Sequence, residues 1–183
     1  MGWRVAQLSA ERLASWTALS VPHPGAFATG LKDPEQQRRS EYIRKFQPPG
    51  LAEAAFAADD WALLKSIWPP AAADEIEDYL DVLTKPGAMT AALNWYRAAF
   101  GPGGPGLGND FPVHTPTLML WGNRDEALGR ATTLTHDQYM AGESRFVELD
   151  ADHWLVQNCF DQVLGELLAH LRNQAIDLAH IGY

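Results

Sequence analysis

The sequence contains an aspartate and a histidine that each follow a segment with the composition of a buried strand. Asp125 follows Pro116–Trp121 (PTLMLW), and His153 follows Ser144–Leu149. A helix over about 126–140 is predicted between the two segments, so the strands should be parallel. A carboxylate can orient an imidazole and stabilise its charged form, and the imidazole can then take a proton from water. The order of these residues therefore predicts a water-activating pair.

The motifs that would complete such a site are absent from this sequence. In α/β-hydrolases the chain order is nucleophile, acid and histidine, and the nucleophile lies on a Gly-x-Ser-x-Gly turn between a strand and a helix. The sequence has no such motif with Ser, Asp or Cys at its centre, and no His-Gly pair for an oxyanion loop. It also has no Walker loop and no His-Glu-x-x-His motif, and its six histidines lack metal-ligand spacing. We therefore expect neither a metal nor an organic cofactor.

Composition limits the classes of partner. The chain has 183 residues, is 46% hydrophobic and carries a net charge of −9, which suits a globular protein with a real core. An acidic surface repels phosphate backbones, and the basic residues form no dense cluster, so we expect neither nucleic acid nor a membrane as partner. Cys159 is the single cysteine, which excludes an intramolecular disulfide, and the first residues lack a signal-peptide core. These features predict a cytoplasmic protein.

Helical and strand patterns divide the sequence into an interrupted α/β fold. Residues 1–24 are interpreted as the end of a helix and one core strand, residues 25–109 as a helical cap, 110–174 as an α/β core and 175–183 as a tail. The glycine- and proline-rich segment Phe100–Pro116 is predicted to be a linker. The other predicted elements are a strand at Ser15–Val21 and helices at Glu35–Gln47, Leu51–Ile67, Asp74–Leu83, Pro86–Phe100 and about 158–172.

Several strings resemble one known family. Ser40-Glu-Tyr42, Pro49-Gly-Leu-Ala-Glu53 and Asn94-Trp-Tyr-Arg97 resemble cap segments, and Trp121-Gly-Asn-Arg-Asp125 and Asp152-His-Trp154 resemble acid and histidine loops. Together they resemble the C-terminal two-thirds of an epoxide-hydrolase-like α/β-hydrolase. The resemblance implies a partial α/β-hydrolase fold, in which an all-helical cap is inserted into the remnant of a parallel sheet.

The resemblance also implies a role for each site residue. Tyr42 and Tyr96 would donate hydrogen bonds to the oxygen of an apolar small-molecule epoxide, since a phenol stays protonated at neutral pH. His153 would deprotonate the water that hydrolyses an alkyl-enzyme ester, and Asp125 would orient its imidazole. Trp154 would form a wall of the substrate pocket. The implied reaction converts an epoxide and water into a vicinal diol.

Two departures from the family pattern affect these expectations. The family nucleophile is an Asp on the elbow turn, and Met1–Gln7 resembles the middle of the helix after that turn. The nucleophile and the oxyanion loop are therefore expected to lie before Met1, and we expect this chain alone to be nearly inactive. The second departure is Asp152, where the family has a small residue before the histidine. Its carboxylate could act on His153 or could point to water.

Other functions stay open at this stage. An esterase would need Ser at the elbow, and a haloalkane dehalogenase would need halide-binding donors such as tryptophans. A non-catalytic interaction module is the third alternative. If the strands before Ser15 are missing, Ser15–Val21 would be an exposed apolar edge that invites self-association. Glu126 could replace Asp125 as the acid, although its place at a predicted helix start suits a dipole role.

Overall fold

The computed structural model describes residues 2–101 and 111–180, so most of the predicted linker, residues 102–110, lies outside the described residues. The chain forms two compact units. The first comprises Met1–Gln37 and Gly108–Tyr183, and the second comprises Arg38–Leu107. The second unit is all-helical in its described part and lies within the range predicted for the cap. Residues 25–37 belong to the first unit instead.

A parallel sheet forms the centre of the first unit. Its strands are β1 (Trp16–Leu19), β2 (Thr117–Gly122) and β3 (Ser144–Leu149), in the order β1-β2-β3. Both pairings are parallel. The three predicted strands and the α/β class are therefore confirmed. Because parallel strands end at the same edge of the sheet, the segments after β2 and β3 emerge side by side.

The central strand is buried on both faces. Every residue of β2 is buried, and its side chains alternate between two apolar clusters. One cluster contains Trp3, Ala6, Ala18, Phe111, Val113, Met119 and Trp121, and the other contains Leu118, Leu120, Leu149, Ala151, Leu155 and Val163. Phe111 and Val113 therefore lie in the core, although the sequence analysis assigned them to a linker. Within the described residues, β1 is an edge strand, and self-association through it stays a prediction.

The described residues also form α-helices, which range in length from 4 to 21 residues. In chain order they are α1 (Gly2–Leu8), α2 (Pro24–Gly30), α3 (Pro34–Arg39), α4 (Glu41–Lys45), α5 (Leu51–Ala57), α6 (Ala62–Lys65), α7 (Ile76–Leu83), α8 (Ala88–Phe100), α9 (Leu155–Asn158) and α10 (Phe160–His180). The predicted helix Glu35–Gln47 is thus divided at Ser40 into α3 and α4. The last helix includes residues 175–180, which were assigned to a tail.

The second unit has its own core. Ala52, Phe56, Leu64, Leu80, Met89 and Leu93 are buried together there. Two of its helices start at a glycine with positive φ, Gly50 (84°) before α5 and Gly87 (81°) before α8. Glycine adopts this conformation without steric cost, which fixes the direction in which each helix leaves its turn. These two helices carry two of the family-like strings, those around Glu53 and Arg97.

The predicted helix at 126–140 is wrong. The segment contains two 3₁₀ turns instead, Arg130–Thr132 and His136–Tyr139. Its threonines disfavour a helix because the hydroxyls of Thr132 and Thr133 donate to backbone carbonyls three residues earlier, those of Gly129 and Arg130. The carboxylate of Asp125 also captures amides at the start of the segment, as described below.

Candidate active site

Asp125 lies in the loop that follows β2. Two hydrogen bonds tie this loop to the exit from β3, from Asn123 N to the Leu149 carbonyl (2.9 Å) and from Arg124 N to the Ala151 carbonyl (2.9 Å). Asp125 is 2% exposed. Its Oδ1 accepts hydrogen bonds from the backbone N–H groups of residues 127 and 128, both at 2.8 Å. These bonds fix one carboxylate oxygen and direct the other toward the β3 side.

His153 is the partner of that second oxygen. Its Nδ1 lies 2.8 Å from Asp125 Oδ2, and its side chain is one-third exposed. A hydrogen bond accepted by Asp125 Oδ2 favours the imidazole tautomer with hydrogen on Nδ1, in which Nε2 carries the lone pair that can take a proton. Glu126, the alternative acid, is exposed, and the carboxylate bonded to His153 is that of Asp125. The structure therefore brings together the two residues that the sequence placed 28 positions apart.

The residues that flank His153 organise its loop. Asp152 Oδ1 accepts from Trp154 N (2.9 Å), and both carboxylate oxygens accept from the Asn158 amide at 2.7 and 2.6 Å. Asp152 thus fastens the start of α9. The Trp154 ring stands edge-on to the imidazole, with ring centroids 5.5 Å apart. Burial, followed by the charge of Asp152, raises the pKa of the Cys159 thiol.

Two supporting residues of the acid loop were missed in the sequence. Gln36, on α3, is 1% exposed; its amide donates to the Ala127 carbonyl (2.9 Å) and accepts from Gly129 N (2.8 Å). Trp121 Nε1 donates to the Leu128 carbonyl at 2.8 Å. Both contacts hold the segment that presents the amides to Asp125. A glutamine in a polar helix carries no local signal of such a contact, which spans more than ninety positions.

The two tyrosines lie together within the second unit. The ring centroids of Tyr42, on α4, and Tyr96, on α8, are 5.9 Å apart in an edge-to-face arrangement. Phe46 packs against both rings, at 5.5 Å from Tyr42 and 5.1 Å from Tyr96. Burial raises the pKa of Tyr96, because the phenolate is the form that loses hydration. The phenol of Tyr96 is therefore a donor over the whole neutral range.

A mostly buried ion pair fixes the helices that carry these tyrosines. Arg97 binds Glu53 through both terminal nitrogens, at 2.8 and 2.9 Å, and its Nε donates to the Phe46 carbonyl at 2.9 Å. Glu53 also accepts from Gly50 N at 2.9 Å. The hydrogen bonds from Arg97 lower the pKa of Glu53 to about 2. One guanidinium thus connects α5, α8 and the end of α4, which explains why the two strings around residues 53 and 97 occur together.

Two further properties concern ligands and membranes. Over the described ranges, no group of three or more His, Cys, Asp or Glu side chains is arranged to hold a metal ion. Among the helices of residues 2–101 and 111–180, none combines the length and apolar character that a membrane span requires.

Comparisons with known proteins agree on one fold. No protein-family model matches the sequence. Among solved structures, an epoxide hydrolase from Bacillus megaterium aligns with a TM-score of 0.81 at 21% identity, covering 93% of this chain and 65% of the other. Epoxide hydrolase A from Mycobacterium thermoresistibile aligns with a TM-score of 0.73 at 25% identity, with coverages of 93% and 65%. The chain therefore has part of an α/β-hydrolase fold.

Curated proteins with similar sequences include an AB hydrolase superfamily protein and epoxide hydrolases. The AB hydrolase superfamily protein YfhM of Bacillus subtilis is 31% identical over 184 residues, covering 95% of this chain and 63% of its own length. Epoxide hydrolase 4 of Mus musculus is 28% identical, covering 95% of this chain and 51% of its own length. The chain thus spans between about half and two-thirds of these relatives. Its resemblance to epoxide-hydrolase-like α/β-hydrolases, inferred from the strings, is confirmed.

Proposed function

We propose that this chain carries the water-activating and oxygen-binding groups of an epoxide hydrolase. The observation that carries the proposal is the hydrogen bond between His153 Nδ1 and the buried carboxylate of Asp125, at the carboxyl ends of two parallel strands. A histidine held in this way can deprotonate water with Nε2, and the adjacent carboxylate stabilises the imidazolium that forms. The named epoxide hydrolases among the relatives support the choice of substrate class.

The proposed reaction has two stages. A carboxylate nucleophile attacks a ring carbon, the carbon–oxygen bond of the epoxide breaks, and the oxygen takes a proton from Tyr42 or Tyr96. His153 then removes a proton from water, and the hydroxide attacks the carbonyl of the alkyl-enzyme ester. The ester bond breaks, and the leaving alkoxide takes the proton of the added hydroxyl group, which gives the diol and restores the carboxylate. The protonated imidazole loses its proton to solvent and the tyrosinate regains one from solvent, so that protons balance. Trp154, beside His153, would provide an apolar wall for the substrate.

We further propose that the 183-residue chain by itself binds epoxides without turning them over. Its sequence contains no elbow motif that could supply the nucleophile of the first stage. Loss of the nucleophile from a catalytic triad costs on the order of a million-fold in rate. Incubation with styrene oxide should therefore produce no diol above the uncatalysed amount. Diol formation that His153→Ala abolishes would contradict this proposal.

The absence of turnover makes substrate binding measurable at equilibrium. Tyr42→Phe and Tyr96→Phe should each weaken the binding of styrene oxide, measured by saturation-transfer NMR, by roughly fivefold, since each removes one neutral hydrogen bond worth about 1 kcal/mol. Tyr79→Phe is the matched control, because Tyr79 lies on α7 and bonds to the carboxylate of Glu75. Equal affinities for all three variants and the parent chain would refute the role of the tyrosine pair.

The identity of the nucleophile can be tested at the DNA level. The codons that precede Met1, read in frame, should encode a Gly-x-Asp-x-Gly elbow if the reaction is epoxide hydrolysis. Serine at the centre of that elbow would favour an esterase instead. A stop codon directly before Met1 would favour a non-catalytic module.

A further inference from the structure

We infer that Ser20, at the end of β1, is a positioning residue that holds the loop of His153. The inference rests on the proposed function, in which His153 needs one fixed ring orientation. Ser20 Oγ donates a hydrogen bond to the His153 carbonyl at 3.0 Å, across 133 positions of sequence. Ser20 is 4% exposed and the bond is partly buried, which limits competition by water for the hydroxyl.

The backbone of Ser20 adds a second and independent observation. Its φ is +53°, in the left-handed region that side chains other than Gly, Asn and Asp rarely adopt. If the chain needed only a sharp turn here, glycine would supply it without strain. Strained conformations persist where the surroundings impose them, and they cluster at functional sites. The hydroxyl bonded to His153 is the feature of Ser20 that glycine would lack.

The turn that presents this hydroxyl is itself fixed. Ser20 N donates to the Leu120 carbonyl (2.9 Å), which continues the pairing of β1 with β2. The next carbonyl, that of Val21, accepts from Trp3 Nε1 at 3.0 Å. The donor to His153 therefore belongs to a rigid segment rather than to a mobile loop.

The hydrogen bond from Ser20 holds the backbone of His153 itself. Asp152 and Asn158 hold the chain on the far side of His153, and the Arg124 amide holds the Ala151 carbonyl on the near side. Ser20 holds the peptide of His153 itself. Since the ring orientation follows from this backbone, loss of the hydroxyl should loosen the bond between Nδ1 and Asp125.

Imidazole NMR of the ¹⁵N-labelled 183-residue chain tests this inference. The measured quantities are the tautomer of His153 and the solvent-exchange rate of its Nδ1 proton, assigned by its loss in His153→Gln. Ser20→Gly removes the hydroxyl and relieves the strain, so it should preserve or raise the melting temperature while the exchange becomes about tenfold faster. Ser20→Thr keeps the hydroxyl but is strained at positive φ, so it should lower the melting temperature and keep the slow exchange.

These opposed variants separate positioning from a general effect on stability. Ser144→Ala is the control, because the Ser144 hydroxyl is buried without a hydrogen-bond partner among the described residues, and its removal should leave the His153 signal unchanged. An exchange rate that is unchanged in Ser20→Gly overturns the inference. So does an exchange rate that rises only where the melting temperature falls, because it would then report stability and not the hydroxyl. If Ser20→Gly fails to fold, fast exchange in a folded Ser20→Thr overturns it equally.

A separate variant distinguishes this failure from failure of the proposed function. Asp125→Asn should abolish the protected Nδ1 signal of His153. If that signal persists in Asp125→Asn, the acid–histidine pair is refuted and the proposed function with it. If Asp125→Asn removes the signal and Ser20→Gly does not affect it, only the role of Ser20 is refuted.

Discussion

Replacing Glu53 by Gln should destabilise the helical unit by about 2 kcal/mol at neutral pH. The pKa of Glu53 is lowered from 4.5 to about 2, chiefly by the hydrogen bonds from Arg97. This difference corresponds to about 3 kcal/mol of folding free energy, at about 1.4 kcal/mol for each pKa unit. The Arg97 and Glu53 side chains are 13% and 19% exposed, so solvent screens part of this energy. Glutamine also keeps one acceptor for Arg97, so we expect a destabilisation of about 2 kcal/mol rather than about 3 kcal/mol.

The same pair predicts a pH dependence with a definite sign. Because the pKa of Glu53 is lower in the folded chain than in the unfolded chain, its contribution is complete well above pH 4.5. The contribution is lost as pH falls from about 4.5 through about 2. Between pH 7 and pH 3, the parent chain should therefore lose about 1 kcal/mol more stability than Glu53→Gln.

Urea unfolding followed by circular dichroism at both pH values measures these effects. Glu41→Gln, on α4, is the matched control, because Glu41 and Lys45 form an exposed pair that should contribute less than about 0.5 kcal/mol. If Glu53→Gln and Glu41→Gln have equal unfolding free energies, the pair does not stabilise the unit. A Glu53→Gln chain that loses as much stability as the parent between pH 7 and pH 3 would refute the assigned pKa shift.

Three further outcomes can be measured. Burial lowers the pKa of His136, so the folded chain should lose stability as pH falls below the unfolded pKa of about 6.5. His136→Phe should reduce the change of the urea unfolding midpoint between pH 7 and pH 5, and an unreduced change would contradict this. A Cβ on Gly122 would collide with the carbonyls of Ala151 and Asp152, so Gly122→Ala should lower the melting temperature and shift the His153 resonances, whereas an unaltered spectrum would argue against this packing. Self-association through the β1 edge should give concentration-dependent light scattering, and a single monomer peak with a cooperative melt would exclude it.

The sheet was predictable because its signal is local. Thr117–Gly122 is buried throughout, and such a strand is a continuous apolar run in the sequence. The segment after Asp125 was not predictable in the same way. Its apolar residues have helical spacing, but the Asp125 carboxylate and the threonine hydroxyls bind nearby backbone groups that a helix would use. The spacing of apolar residues does not reveal that these side chains compete for the backbone groups.

The contact between Asp125 and His153 was predictable from the sequence, whereas the residues that support it were not. The types and order of Asp125 and His153 indicated the pair, and resemblance indicated Tyr42 and Tyr96. Gln36 and Ser20 support the acid and histidine loops through contacts that join positions far apart in sequence, so no local pattern predicts those contacts. The residues proposed to do chemistry have recognisable neighbours in the sequence, whereas a supporting residue needs only one polar atom at the right distance.

The two parts of the proposed chemistry are supported by separate networks. The hydrogen bonds of the Glu53–Arg97 pair to described residues lie within Arg38–Leu107, where the pair holds the helices of the tyrosines. Ser20 and His153 bond within the other compact unit. Since residues that share no bonding partner contribute almost additively to stability, a change in one network should leave the other intact. Altered epoxide binding in Glu53→Gln can therefore be attributed to the tyrosine helices, provided that the His153 ring signal is preserved in the same sample.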